Sequence, residues 1–254
     1  MAASSSDTTI GSLAVKPETS VPRLELRDLS AGYRNRPVVF DISITVQNAS
    51  IVTLLGHNGA GKTTTMTAAL GLIGAKSGSV LLEGKDVSQL STRKRVEAGM
   101  AYVPADDFVF GGLTVAENLS LGGLTESRAT VRRDKLEWIF DRWRVLADRA
   151  NQLAGTMSGG QRRMLSLGIA LMSSPRLLLL DEPSLGLAPN IVDQLFQDLR
   201  DLADTEGLSV FIIEQAVAKA LAIADDAYVM KAGRIIAHEP AAALAQRGSL
   251  WELF

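Results

Sequence analysis

The chain has 254 residues, enough to bury a full core as one domain or as one domain with an insertion. Apolar residues make up 46% and charged residues 21%, too apolar for a disordered chain, and the formal net charge of −2 gives no general attraction to nucleic acid. The absence of cysteine excludes disulfides and thiolate metal sites and fits a reducing compartment, while apolar runs such as Leu177-Leu178-Leu179-Leu180 fall far short of the roughly 18–20 residues that span a bilayer.

The first 22 residues are rich in Ser, Thr and Ala without a continuous apolar stretch, so a disordered tail is expected there rather than a secretory signal, with the folded domain over residues 23–254. Arg23-Leu24-Glu25-Leu26-Arg27 alternates like a half-buried strand, and Val38 through Val46 suggests its antiparallel neighbour. Between them, Ala31-Gly32-Tyr33 is expected to place an exposed aromatic on a loop. Tyr33 reads either as a half-buried rim residue or as a ring on which a purine stacks, worth about 1–3 kcal/mol.

Ile51-Val52-Thr53-Leu54-Leu55 is a buried strand by pattern, and it opens directly into Gly56-His57-Asn58-Gly59-Ala60-Gly61-Lys62-Thr63-Thr64, a complete match to G-x-x-x-x-G-K-[ST]. Gly56, Gly59 and Gly61 let the backbone turn its N–H groups inward at an anion. Lys62 can reach the β- and γ-phosphates, Thr63 can hold Mg²⁺, and the dipole at the start of a Lys62–Leu72 helix favours negative charge. A nucleoside triphosphate site is therefore expected at this loop.

Ser79-Val80-Leu81-Leu82 and Met100-Ala101-Tyr102-Val103 read as short strands around the basic segment 92–97. From about 105 to 175 the pattern becomes helical. Thr114 precedes a helix, and Leu136, Ile139, Phe140, Trp143 and Leu146 recur at helical spacing, with Arg132, Arg133, Asp134 and Arg142 assigned to a solvated face. Ser158-Gly159-Gly160-Gln161 opens a helix to about Met172, with Ser158 as N-cap and the N–H groups of the Gly159–Gln161 turn free as a second anion-binding terminus.

The Leu177–Leu180 run reads as a strand buried on both faces, ending in Asp181-Glu182-Pro183. Asp181 is placed to hold Mg²⁺ through water, and Glu182 to face a water that attacks the γ-phosphorus in line. A strand over Leu208–Ile213, the pair Glu214-Gln215, a helix from about Val217 to Ala224 and a strand at Tyr228-Val229-Met230 paired with Arg234-Ile235-Ile236 complete an α/β pattern with a largely parallel sheet. His57 is expected to be exposed, and His238, past the last expected strand, is given no role.

Taken in this order, the phosphate loop, Ser158-Gly159-Gly160-Gln161 and Leu177–Pro183 resemble the ATP-binding subunit of ABC transporters, over about Leu24 to the C-terminus. The segments Gly155–Gly160 and Asp181–Pro189, and Glu214-Gln215 before an Ala- and Leu-rich helix, are similar to one branch, the ATPases of high-affinity importers of branched-chain amino acids and their relatives for amides and urea. The resemblance implies a P-loop NTPase fold with a mostly parallel sheet core, an antiparallel β edge subdomain and an inserted helical subdomain at about 105–175. It implies two subunits stacked head to tail around two ATP molecules. Each nucleotide would lie between Gly56, His57, Asn58, Gly59, Ala60, Gly61, Lys62, Thr63 and Thr64 of one subunit and Ser158, Gly159, Gly160 and Gln161 of the other.

Within that frame Tyr33 stacks on adenine, Thr63 and Asp181 hold Mg²⁺, Glu182 is the general base, and Lys62 and Gln215 complete the catalytic set. The implied partners are a second ATPase (a sibling or this chain itself), two transmembrane permeases docking near Phe108–Leu121 and, indirectly, an extracytoplasmic solute-binding protein. No nucleic acid is implied, and the place is the cytoplasmic face of the cell membrane.

Three positions depart from the broad family pattern. Ala105 stands where a glutamine, or in the branch a glutamate, coordinates Mg²⁺, with Asp106 or Asp107 as candidates to supply the missing oxygen; Gln215 replaces the switch histidine and Ala188 an aspartate. Two other readings are a soluble ABC ATPase of translation or DNA repair, which the single phosphate loop disfavours, and a nucleotide-binding scaffold with weak hydrolysis, which the presence of Lys62, Thr63, Asp181 and Glu182 disfavours.

Overall fold

A computed structural model describes residues 21–34, 36–106, 108–124 and 126–247. The expected tail lies outside them apart from Val21 and Pro22, as does Asp107. In chain order the elements are β1 (Leu24–Tyr33), β2 (Arg36–Val46), β3 (Ile51–Leu55), α1 (Lys62–Leu70), β4 (Ala75–Leu82), β5 (Lys85–Asp86), α2 (Thr92–Glu97), β6 (Met100–Val103), α3 (Val115–Gly122), α4 (Ala129–Arg142), α5 (Arg144–Ala147), α6 (Gly159–Leu171), β7 (Leu177–Asp181), α7 (Pro189–Glu206), β8 (Ser209–Glu214), α8 (Val217–Ile223), β9 (Asp226–Lys231), β10 (Arg234–Pro240) and α9 (Ala241–Ala245).

Two sheets form. β2-β1-β4-β5 is antiparallel, and β10-β9-β3-β8-β7-β6 is parallel except for the hairpin partner β10. The four-leucine run shows why the parallel strands are so apolar. Leu177 and Leu179 pack into the core shared with the antiparallel sheet and α1, while Leu178 and Leu180 pack into the core shared with α3 to α7. Each leucine so buried stabilises the fold by about 1.5–3 kcal/mol. A third, smaller core lies under α8 and α9.

The middle strands set the site. β3, β8 and β7 are neighbours in parallel register, with Leu55 beside Glu214 and Asp181 beside Ile213. Their carboxyl ends therefore bring the phosphate loop, Glu214-Gln215 and Asp181-Glu182 to one edge, where open α/β sheets bind ligands.

Between β6 and β7 the described chain is helical. α3 starts on a reciprocal cap in which the Thr114 hydroxyl accepts the Glu117 N–H while the Glu117 carboxylate accepts the Thr114 N–H. α3 crosses α6 closely, since a Cβ added at Gly122 would lie 2.2 Å from the Ile169 carbonyl oxygen. Ile139, Trp143 and Leu146 are buried as their spacing predicts.

Four expectations are corrected. Arg142 is not on a solvated face: its guanidinium donates to the Asp198 carbonyl at 2.9 Å and lies 3.8 Å from the Asp201 carboxylate. α1 ends at Leu70 rather than Leu72, because Gly71 takes φ 81° and its N–H closes on the Ala68 carbonyl at 3.0 Å. Tyr33 ends a strand instead of sitting on a loop, paired with Arg36. His238 lies within β10, stacked on the Tyr228 ring at 4.0 Å with Nε2 3.5 Å from Asp226.

Candidate nucleotide site

The loop after β3 turns on Gly59 and Gly61, at φ 83° and 110°, values that residues with a side chain rarely adopt. It is fastened to the β9–β10 hairpin, where the Gly233 N–H donates to the Ala60 carbonyl at 2.8 Å. Lys62 folds back over the loop, its Nζ donating to the carbonyls of Gly56 at 2.7 Å and His57 at 3.1 Å. Burial lowers the pKa of this ammonium, against the opposing pull of the Glu182, Asp181 and Glu214 carboxylates. A cavity of about 350 Å³ opens here, lined among others by Asn58, Lys62, Thr63, Thr64, Glu182 and Gln215. His57 is exposed, as expected.

Asp181, buried at the end of β7, meets this loop. Its Oδ1 accepts from the Thr63 hydroxyl at 3.3 Å and its Oδ2 from the Tyr102 hydroxyl at 3.4 Å. Burial raises the Asp181 pKa, Glu182 adds to the rise, and the Thr63 and Tyr102 hydrogen bonds oppose it. Tyr102 is itself pushed up, first by burial and then by the Asp181 charge, so its phenol keeps its proton as a donor. Thr63 and Asp181 bring two hard oxygen atoms together at the loop. Among the described residues no group of three His, Cys, Asp or Glu could hold a metal unaided, so an ion here would take its remaining ligands from phosphate and water, as Mg²⁺ prefers.

Glu182 follows with φ 45°, a left-handed backbone unusual for a residue with a side chain. Its N–H donates to the Ile213 carbonyl at 2.9 Å, and its Oε1 accepts from the Gln215 Nε2 at 2.6 Å. The carboxylate and the amide so joined both line the phosphate-loop cavity. Beside them, Glu214 is buried and accepts the backbone N–H groups of Ser184, Gln215 and Ala216. Sequence reasoning gave neither Glu214 nor Tyr102 a role. The one available signal was a carboxylate closing the apolar run Leu208–Ile213.

Not every expected residue joins this cavity. Tyr33, 50% exposed, lines a neighbouring hollow with Arg34 and Arg36, and Val38 borders both spaces. Ser158–Gln161 are absent from the cavity lining. Ser158 does cap α6, but its hydroxyl accepts the Gln161 N–H at 3.4 Å, which corrects the expectation that this N–H is free; those of Gly159 and Gly160 have no acceptor among the described residues. Asp106 is exposed, and the Pro104 and Ala105 carbonyls both accept from the Arg163 guanidinium. The Ser166 hydroxyl donates to the Phe108 carbonyl at 3.1 Å, below the exposed rings of Phe108 and Phe110, which meet edge to face at 5.9 Å.

Comparison with known proteins agrees with this geometry. The family model described as ABC transporter matches residues 39–185. The chain is 44% identical over 223 residues to the high-affinity branched-chain amino acid transport ATP-binding protein BraG of Pseudomonas aeruginosa, covering 87% of this chain and 94% of that one. It is 37% identical to the lipopolysaccharide export system ATP-binding protein LptB of Haemophilus influenzae, over 84% of this chain and 89% of that one. The crystal structure of a nucleotide-free ATP-binding cassette from an ABC transporter superposes with a TM-score of 0.77 at 25% identity, over 86% of this chain and 91% of the other. Sequence family, fold and the convergence of three strand ends on one phosphate loop agree: the chain belongs to the ABC transporter family, as one of its ATP-hydrolysing subunits.

Proposed function

We propose that this chain powers an importer of branched-chain amino acids, or of related amino acid, amide or urea solutes, from the cytoplasmic face of the cell membrane. The solute class is supported by the 44% identity to the Pseudomonas transport protein, which spans 94% of that protein. The hydrolytic role is carried by one observation, the Glu182 carboxylate held by the Gln215 amide at 2.6 Å where both line the phosphate-loop cavity.

The residues divide the work. The backbone N–H groups of Gly56–Thr64 and the Lys62 ammonium receive the β- and γ-phosphates, and Lys62 exchanges its two carbonyl acceptors for phosphate oxygens. Thr63 and Asp181 would hold Mg²⁺, which supplies neutralisation of phosphate charge when bound. Glu182 takes the proton of the attacking water as general base, and Gln215 orients it and donates to a γ-phosphate oxygen. Tyr33 stacks on adenine in the hollow that adjoins the cavity at Val38. The free N–H groups of Gly159 and Gly160, with the Ser158 hydroxyl and Gln161, face the nucleotide of a second subunit stacked head to tail.

Among the described residues no helix is long and apolar enough to cross a membrane. Two permeases therefore form the pathway in this reading, docked near Phe108–Leu121, with a solute-binding protein on the far side. Purification of the tagged chain from native membranes in mild detergent, followed by mass spectrometry, tests it. Two hydrophobic permeases and a second, different ATPase support the importer. Membrane subunits of a lipopolysaccharide exporter favour the second reading, to which the 37% identity with LptB points. Recovery of the chain alone, or with ribosomal or DNA-bound partners, overturns the transporter reading.

A further inference from the structure

Glu214 ends β8 next to the catalytic groups, yet it is 1% exposed and absent from the cavity lining. Its carboxylate is taken up by backbone: Oε1 accepts the Ser184 N–H at 2.8 Å, and Oε2 accepts those of Gln215 at 2.9 Å and Ala216 at 3.0 Å. The two turns it joins carry Glu182 and Gln215. Pro183 has no N–H, so the N–H groups available from Glu182 to Ser184 both end on β8, one on the Ile213 carbonyl and one on Glu214. These two bonds bracket the left-handed backbone of Glu182, a conformation that persists only where its surroundings enforce it.

We propose that Glu214 is a positioning residue for ATP hydrolysis, its buried carboxylate fixing the Ser184 and Gln215 turns to one point so that Glu182 and Gln215 meet the γ-phosphate at a set spacing. The proposal rests on the reading of Glu182 as general base. Only a carboxylate serves all three donors, because it offers two oxygens and no hydrogen. An amide of the same shape has one acceptor oxygen, so Glu214→Gln must release one turn and aim an N–H at another N–H.

The test uses the full chain with ATP. Glu214→Gln is expected to lower kcat roughly tenfold to a hundredfold, the effect of a displacement on the order of 1 Å in a catalytic group, while KM changes by less than about twofold because the hydrogen bonds of Glu214 go to Ser184, Gln215 and Ala216 and not to the phosphate loop. The double variant Glu182→Gln/Glu214→Gln is expected to lose clearly less than the product of the two single losses, since the base is no longer there to be positioned and only Gln215 remains. Losses that multiply in the double variant, a KM that rises as kcat falls, or an unchanged kcat would each overturn the positioning role. Should Glu214→Gln fail to fold, Glu214→Asp, which keeps both oxygens on a shorter arm, carries the same cycle. If Glu182→Gln alone leaves turnover intact, the base assignment fails and the proposal with it, an outcome distinct from multiplied losses.

Discussion

Glu182 and Tyr33 mark the two ends of the nucleotide reading, one at the γ-phosphate and one at the base. Glu182→Gln is expected to reduce phosphate release roughly a hundredfold or more, the worth of a general base, while ATP still binds and the nucleotide-bound dimer accumulates on size exclusion. Tyr33→Ala is expected to weaken ATP binding by about 1–3 kcal/mol with little change in kcat, read by titration with ATP in the Glu182→Gln background. The convergence of the phosphate loop with Glu182 was legible because each lies in a short string: Gly56 to Thr64 is one turn, and Asp181-Glu182 is one strand end. Tyr102, Arg163 and Glu214 were not legible. Their roles depend on partners such as Asp181, 79 positions from Tyr102, and Ala105, 58 positions from Arg163, which no local pattern announces.

At the level of elements, the helical stretch from α3 to α6 is tied to α7 by a buried polar contact. The Trp143 Nε1–H donates to the Asp198 carboxylate at 2.7 Å, and Gln194 donates to the same carboxylate at 3.0 Å. Asp198→Ala leaves the buried indole N–H without an acceptor and is expected to cost about 1–3 kcal/mol, measured by urea unfolding. Gly122→Ala is expected to cost a similar amount, about 1–3 kcal/mol, because the added methyl drives α3 off the Ile169 carbonyl. The 3.6-residue spacing from Leu136 to Leu146 made α4 and α5 visible in advance. It misplaced Arg142, since a charge at a helix end looks solvated until the carboxylates of α7 are folded against it. Tyr33 was misplaced because Gly32, which reads as a loop residue, lets β2 approach closely, a Cβ added there lying 2.1 Å from the Arg36 carbonyl oxygen, so the pairing runs on to Tyr33 and Arg36.

For the whole molecule, the nucleotide cavity and the Ser158 terminus complete each other only between two chains in the proposed reading. Turnover per subunit should then rise with protein concentration in a dilution series, and a flat series would count against the stacked dimer. The proposed permease contact includes Phe108 and Phe110, 57% and 47% exposed. Their loop is not loosely hung. Arg163 holds the carbonyls of Pro104 and Ala105, Ser166 holds that of Phe108, and the Asn118 amide brackets Phe110, accepting its N–H at 2.7 Å and donating to its carbonyl at 3.0 Å. Because Arg163 and Ser166 sit on the helix that Ser158 caps, the phenylalanine ledge and the start of α6 are joined through the same three hydrogen bonds. In the proposed reading, loosening this link with Ser166→Ala is expected to raise the number of ATP molecules hydrolysed per solute moved, measured in reconstituted vesicles, with the groups around Glu182 unchanged.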